Sequence, residues 1–164
     1  LYTGCRRGEA LALTWDDIDF DNNLIYINKQ LQFQSNKPVI ENFTKSKAGI
    51  RTVPMLENLR AALLPFKKNS GYVFSVNRNL LTSKQFRDGW KSLGFSSTPH
   101  QFRHAYATTL YNAKIDAKTA QSLLGHSSVS VTLDVYTHIS KNVANSAKEQ
   151  LNNYISQSKI SQKS

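Results

Sequence analysis

Thr98-Pro99-His100-Gln101-Phe102-Arg103-His104 reads as the opening of a helix. Thr98 is a capping residue, and Pro99 suits the first helical position, where its missing N–H costs nothing. His100 then lies in the first turn and Arg103 three residues on, so both side chains leave one face. The free amides of a helix N-terminus favour an anion, and a phosphate would satisfy them. Downstream, Asp116 caps a second helix that stops at Gly125, a typical left-handed terminus. His126 follows on a loop, where a side chain can be aimed. A short helix is expected over roughly 130–136, ending at Tyr136. A final helix is expected over about 140–155, with Val143, Ala147, Leu151 and Ile155 at i+4 steps. Residues 156–164 read as a flexible polar tail.

Upstream the pattern is mixed. Glu9-Ala10-Leu11-Ala12-Leu13 is a run of helix formers. Ile18 and Phe20, then Leu24 to Ile27, flank Asp21-Asn22-Asn23 and read as a hairpin. A second pairing is expected between Asn42-Phe43-Thr44 and Arg51-Thr52-Val53, across a loop from Lys45 to Ile50. Leu56, Leu59, Leu63 and Leu64 recur at helical spacing up to Pro65. Phe86, Trp90 and Leu93 do so after a Thr82/Ser83 cap. The fold class is therefore α+β, mostly α-helical with a small antiparallel β-sheet, in one domain spanning residues 1–164.

Composition narrows the partners. Twenty-one Lys+Arg against 11 Asp+Glu leave a net charge of +10 on 164 residues, so a polyanion is the first partner to consider. The charge is uneven: 1–24 is net acidic, while 37–68 and 141–164 are net basic. A single cysteine excludes a disulfide framework and fits a reducing compartment. No apolar run is long enough to span a bilayer, no signal peptide is visible, and a cytoplasmic setting is expected. The start at Leu-Tyr-Thr-Gly, without methionine, reads as a fragment of a longer protein.

Chemistry-bearing residues are few. His100 and His104 stand i, i+4, yet no Glu accompanies them as a metallohydrolase helix requires, so no metal or other cofactor is expected. No Gly-x-Ser-x-Gly elbow or phosphate-cradling Gly-rich loop is present. Taken singly, an Arg in a turn is ordinarily a surface or ion-paired residue, and a Tyr in a helical stripe is ordinarily core. Together they form an ordered set: Thr3-Gly4-Cys5-Arg6-Arg7-Gly8-Glu9, Thr44-Lys45-Ser46-Lys47 leading to Arg51-Thr52-Val53-Pro54, His100 to His104, Leu123-Leu124-Gly125-His126-Ser127-Ser128, and Tyr136-Thr137-His138.

This set resembles the catalytic domain of the tyrosine recombinases, the phage integrase family, over residues 2 to about 140. The resemblance implies a site-specific DNA recombinase in which Tyr136 attacks a phosphodiester and leaves a 3′-phosphotyrosyl link. Arg6 and Arg103 would hold the scissile phosphate, and planar guanidinium forks suit that geometry. Lys45 would protonate the departing 5′-oxygen, with Lys47 as the fallback. His100 would assist proton transfer, His126 would hydrogen-bond the phosphate, and Glu9 would support the site. The link conserves the phosphodiester energy, so neither ATP nor metal is needed. Duplex DNA is the implied partner, with self-association on DNA through the last helix into a synaptic tetramer, accessory DNA-bending proteins, and no membrane. An N-terminal DNA-clamping domain, which the family carries, would be absent here. A mobile-element integrase is preferred over chromosome resolution. A type IB topoisomerase and an inactive DNA-binding module are the alternatives.

Overall fold

A computed structural model describes residues 2–43 and 49–161, with side chains described for 2–43 and 49–154. The first helix, α1 (Arg7–Ala12), begins at Arg6, whose backbone N–H is capped by the Glu9 carboxylate. A short 3₁₀ turn at Trp15–Asp17 leads into the expected hairpin of β1 (Ile18–Asp19) and β2 (Leu24–Ile27).

The second expected pairing is not the one found. β3 (Lys29–Gln34) folds back on β4 (Lys37–Asn42). Their two-residue turn, Ser35-Asn36, has φ of 48° and 66°, the left-handed pair that matches the twist of a hairpin. β5 (Arg51–Pro54) instead pairs antiparallel with β2, Val53 opposite Ile25 and Arg51 opposite Ile27. The physical reason is burial. In this register Val53 joins Ile25 and Ile27 in the largest core cluster, with Trp15, Ile18, Phe20 and Met55. A pairing with 42–44 would have left that apolar face uncovered. Lys45, Lys47 and the rest of 44–48 lie outside the described residues.

The second half is helical as expected. α2 (Glu57–Leu63) and a small hairpin, β6 (Ser75–Val76) with β7 (Asn79–Leu80), precede α3 (Ser83–Ser92) and α4 (Pro99–Asn112). Thr82 and Thr98 cap α3 and α4 through their side chains, and Asp116 caps α5 (Ala117–Leu124). The two helices expected after residue 130 are one: α6 runs unbroken over Val129–Ser161. Thr137-His138-Ile139-Ser140 holds neither Gly nor Pro, so nothing in it stops a helix already propagating. Tyr136 is thus mid-helix, the backbone of 156–161 is helical, and 162–164 lie outside the described residues. Among the described residues no helix is long and apolar enough to cross a membrane.

Three core clusters result. The first lies on the β1–β2–β5 sheet. The second joins α4, α5 and α6 through Tyr106, Leu110, Ala120 and Leu124, with Val135 and Tyr136 against it. The third packs Leu11 and Ala12 of α1 on Leu31 of β3. Leu123, at the end of α5, touches both the first and the second. The α5 C-terminus is therefore where the two main cores meet.

α1 crosses β3 closely because residue 8 is glycine. A Cβ there would stand 2.5 Å from the Leu31 carbonyl oxygen, a backbone atom that cannot swing aside. Gly8→Ala should therefore destabilise the fold by about 1–3 kcal/mol, the range typical of overpacking. Thermal unfolding checks this; an unchanged midpoint would show that the helix can ride outwards freely.

Candidate active site

Glu9 is a charged residue buried to 1% exposure, so its carboxylate must be paired. It receives Arg6 Nη1 at 2.8 Å and the Arg6 backbone N–H at 2.7 Å. On the other side Arg51 donates to it through both terminal nitrogens, Nη1 at 3.1 Å and Nη2 at 2.7 Å. Burial acts to raise the Glu9 pKa, but the hydrogen bonds and charge of Arg51, then those of Arg6, outweigh it and hold the carboxyl below its ordinary value.

The guanidiniums converge on one corner of backbone, the last turn of α5 and its Gly125 cap. Arg6 Nη2 donates to the Gly125 carbonyl at 2.9 Å and Arg51 Nε to Leu123 at 2.8 Å. Arg103 Nη2 donates to Leu124 at 2.5 Å, while its Nη1 reaches back to Gly4 at 2.7 Å. These are the orphan carbonyls of a helix C-terminus, and cations there also complement the helix dipole. Gly125 can form this corner because its φ is +66°, a conformation glycine adopts without strain.

Three cations share this small volume. Burial, then the neighbouring charge of Arg6, pushes the Arg103 pKa down to about 10, so it stays protonated at neutral pH. The Arg6 side chain remains 44% exposed. With Arg7, Gln30, Thr98, His100 and Arg103 it lines an open cleft of about 570 Å³. The first turn of α4 faces the same cleft.

His126 stands just beyond Gly125. Burial, then the charges of Arg103, Arg6 and Arg51, lowers its pKa to about 4, so it is neutral at pH 7. Its Nδ1 shares a 2.8 Å hydrogen bond with the fully buried Thr132 hydroxyl, which orients the ring and leaves Nε2 available. The unfolded imidazole takes up a proton near 6.5 and the folded one only near 4, so stability is complete above about pH 6.5 and is lost as pH falls towards 4. Burial shifts His104 the same way. His126→Gln should show a shallower fall of unfolding midpoint between pH 7 and 5 than the parent chain. An equal slope in both would remove His126 as the cause.

His100 and His104 face each other with their Nε2 atoms 3.0 Å apart and their rings nearly perpendicular. No group of three or more metal-ligating side chains occurs among the described residues.

Tyr136 is the expected site residue that does not join the others. Its hydroxyl donates to the Ile115 carbonyl at 3.1 Å, and its ring meets Tyr111 edge to face at 5.2 Å. Ile115 precedes the start of α5, whereas the arginines gather at its end. The 8 residues of α5 put about 12 Å between those points. Burial, then the Asp116 carboxylate, raises the Tyr136 pKa. Arg6, Arg103, His126 and His100 are thus assembled around one cleft and corner, Tyr136 is held apart, and Lys45 is outside the described residues. Arg51 and Thr132 carry no expected role from the sequence. Arg51 had one legible signal: it shares strand parity with the inward-facing Val53, and a buried arginine needs an acid.

Known proteins resemble this chain in sequence and in fold. The sequence profile of the phage integrase family matches residues 1–143. A tyrosine recombinase XerC-like protein of Caldanaerobacter subterraneus is 32% identical over 92% of this chain and 46% of its own length. The transposase from transposon Tn916 of Enterococcus faecalis is 29% identical over 93% and 44%. The Tn1549 transposon integrase, solved in complex with transposon right end DNA, superposes with a TM-score of 0.69 at 27% identity, covering 92% of this chain and 56% of that one. The XerA recombinase does so with a TM-score of 0.64 at 27% identity, over 91% and 52%. The chain spans about half the length of these relatives. By the family profile and by its fold, it belongs to the phage integrase family.

Proposed function

We propose that this chain is the catalytic part of a site-specific DNA recombinase. The observation that carries the reading is the cluster of Arg6, Arg103 and His126 on the Gly125 corner, beside a cleft that the α4 N-terminus and His100 also line. Such a site has the charge and the donors for a phosphodiester, whose non-bridging oxygens gain negative charge during displacement. The naming of its relatives as recombinases, and of the Tn1549 integrase complex with DNA, supports the same reading.

The chemistry balances without a cofactor. The Tyr136 oxygen bonds to phosphorus while the bond from phosphorus to the 5′-oxygen breaks. The phenol proton leaves to a base, and the 5′-oxygen takes up a proton, with Lys45 as its donor. The resulting 3′-phosphotyrosyl link is opened in turn by the 5′-hydroxyl of the exchanged strand. His100 assists proton transfer, and His126 donates from Nε2 once the Thr132 hydroxyl donates to Nδ1. Before attack, Tyr136 must leave the Ile115 carbonyl and approach the arginines. The start of α6 is the segment that carries it.

Duplex DNA is the proposed partner, and the net charge of +10 gives it a salt-dependent affinity. Val143 and Leu151 project from α6 at 56% and 61% exposure, an apolar stripe suited to docking on a neighbouring protomer of a synaptic tetramer. An integrative element is the proposed setting, on the strength of the Tn916 and Tn1549 relatives. The test is covalent trapping on a nicked suicide duplex carrying the element's attachment site, resolved on a denaturing gel. A protein–DNA adduct is the expected result. DNA binding without any adduct would favour an inactive binding module, and supercoil relaxation without strand exchange would favour a topoisomerase.

A further inference from the structure

Arg51 is heavily engaged beside the cleft, and it is not among the residues that line it. Only 5% of its side chain is exposed. Its guanidinium makes four hydrogen bonds: two to Glu9, one from Nε to the Leu123 carbonyl, and one from Nη1 to the Gly49 carbonyl at 3.3 Å. It lies directly beneath the Gly125 corner, where a Cβ at residue 125 would stand 2.7 Å from Arg51 Nη1. Among the described residues it is covered, and a phosphate in the cleft would meet Arg6 and Arg103 first. The rigid fork of an arginine matches this set of acceptors, and a lysine ammonium cannot span it.

What Arg51 holds is the support of the other two arginines. Each Glu9 oxygen is shared. Oε1 accepts from Arg51 Nη1 and Arg6 Nη1, and Oε2 accepts from Arg51 Nη2 and the Arg6 backbone N–H. The carboxylate plane is therefore set between the two arginines. The Leu123 carbonyl that Arg51 fixes is the residue before Leu124, the acceptor of Arg103, and two before Gly125, the acceptor of Arg6. Without the Arg51 fork, Glu9 keeps its contacts to Arg6 alone and can turn about its own side chain.

We propose that Arg51 is a positioning residue for strand cleavage, clamping Glu9 and the end of α5 so that Arg6 and Arg103 meet the scissile phosphate in register. This rests on the recombinase reading. Arg51 acts through Glu9, and that makes a specific prediction for paired substitutions. Effects of residues that work as one unit do not multiply, whereas independent effects do.

The experiment is a cycle of Arg51→Lys, Glu9→Gln and the double variant, each compared with the parent chain on the nicked suicide duplex. Single-turnover cleavage, DNA dissociation constant and thermal unfolding are read, with cleavage assayed below every variant's melting transition. Arg51→Lys should lower the cleavage rate by about 10²-fold, the size expected of a small misplacement of reacting groups. DNA affinity should stay within about threefold, because the charge is kept. In the Glu9→Gln background the same change should cost less than about threefold. If Arg51→Lys does not fold, Arg51→Gln takes its place; its amide ends where the arginine Nε stands, so it can keep the Leu123 bond but not the pair to Glu9. Parent-level cleavage by a folded Arg51 variant would overturn the proposal. So would effects that multiply in the double variant, or a cleavage loss matched by an equal loss of DNA binding. An adduct from the parent chain with an uncoupled cycle would overturn this inference alone. No adduct even from the parent chain would overturn the recombinase reading with it.

Discussion

Tyr136→Phe should bind the attachment-site duplex as the parent chain does and yield no covalent adduct. The substitution removes one oxygen. The ring keeps its edge-to-face contact with Tyr111 and its packing on the α4–α5 core. Among the described residues the substitution removes the bond donated to the Ile115 carbonyl, a change of about 1 kcal/mol in stability. Cleavage has no other route through this residue, so its rate should fall by at least about 10⁴-fold, as when a nucleophile is deleted. A denaturing gel and a thermal melt on the same preparation separate the two effects. An adduct persisting in a folded Tyr136→Phe protein would assign the nucleophile elsewhere.

Arg103→Ala should damage both the fold and the chemistry. Arg103 is buried and spends both terminal nitrogens on backbone carbonyls, Gly4 before α1 and Leu124 at the end of α5. An arginine fork carries five N–H groups, so others remain for a phosphate oxygen. Alanine strands two carbonyls in a buried place, at about 1–3 kcal/mol each. Against a total stability of about 5–15 kcal/mol, the melting transition should drop visibly. Cleavage should fall further, by at least about 10²–10³-fold, because the proposed phosphate site loses one of its cations. Arg103→Lys separates the two, since it keeps the charge and can hold one carbonyl. The lysine variant is expected to be more stable than the alanine variant and still slow. Full cleavage by a folded Arg103→Ala protein would remove this residue from the site.

Local chemistry marks some of these positions and tertiary packing the others. Arg103 and His100 were legible because Thr98-Pro99 marks a helix start by local chemistry alone, and i, i+3 spacing then sets their shared face. Gly125 was legible for the same reason: a helix C-terminus wants a residue at positive φ. The partner of β5 was not. Strand pairing is decided by which apolar faces cover each other across the chain, and the Ser35-Asn36 turn gave a weaker signal than an Asn-Gly pair would. The continuity of α6 through Thr137 to Ser140 was not legible either: no residue there breaks a helix, and the helix runs through it.

The ordered sequence by itself determined the α+β class, the caps and the family, and it singled out the residues proposed for the site. Each of these depends on spacing within a few residues or on motif order. Tertiary structure alone decided that Arg51, rather than Arg6 alone, partners Glu9, and that three guanidiniums share the carbonyls closing α5. It alone placed the Tyr136 hydroxyl on Ile115, at the far end of that helix. Burial is the reason. A buried charge takes whichever opposite charge the packing brings to it, and a phenol takes the nearest free carbonyl, and neither partner is near in sequence.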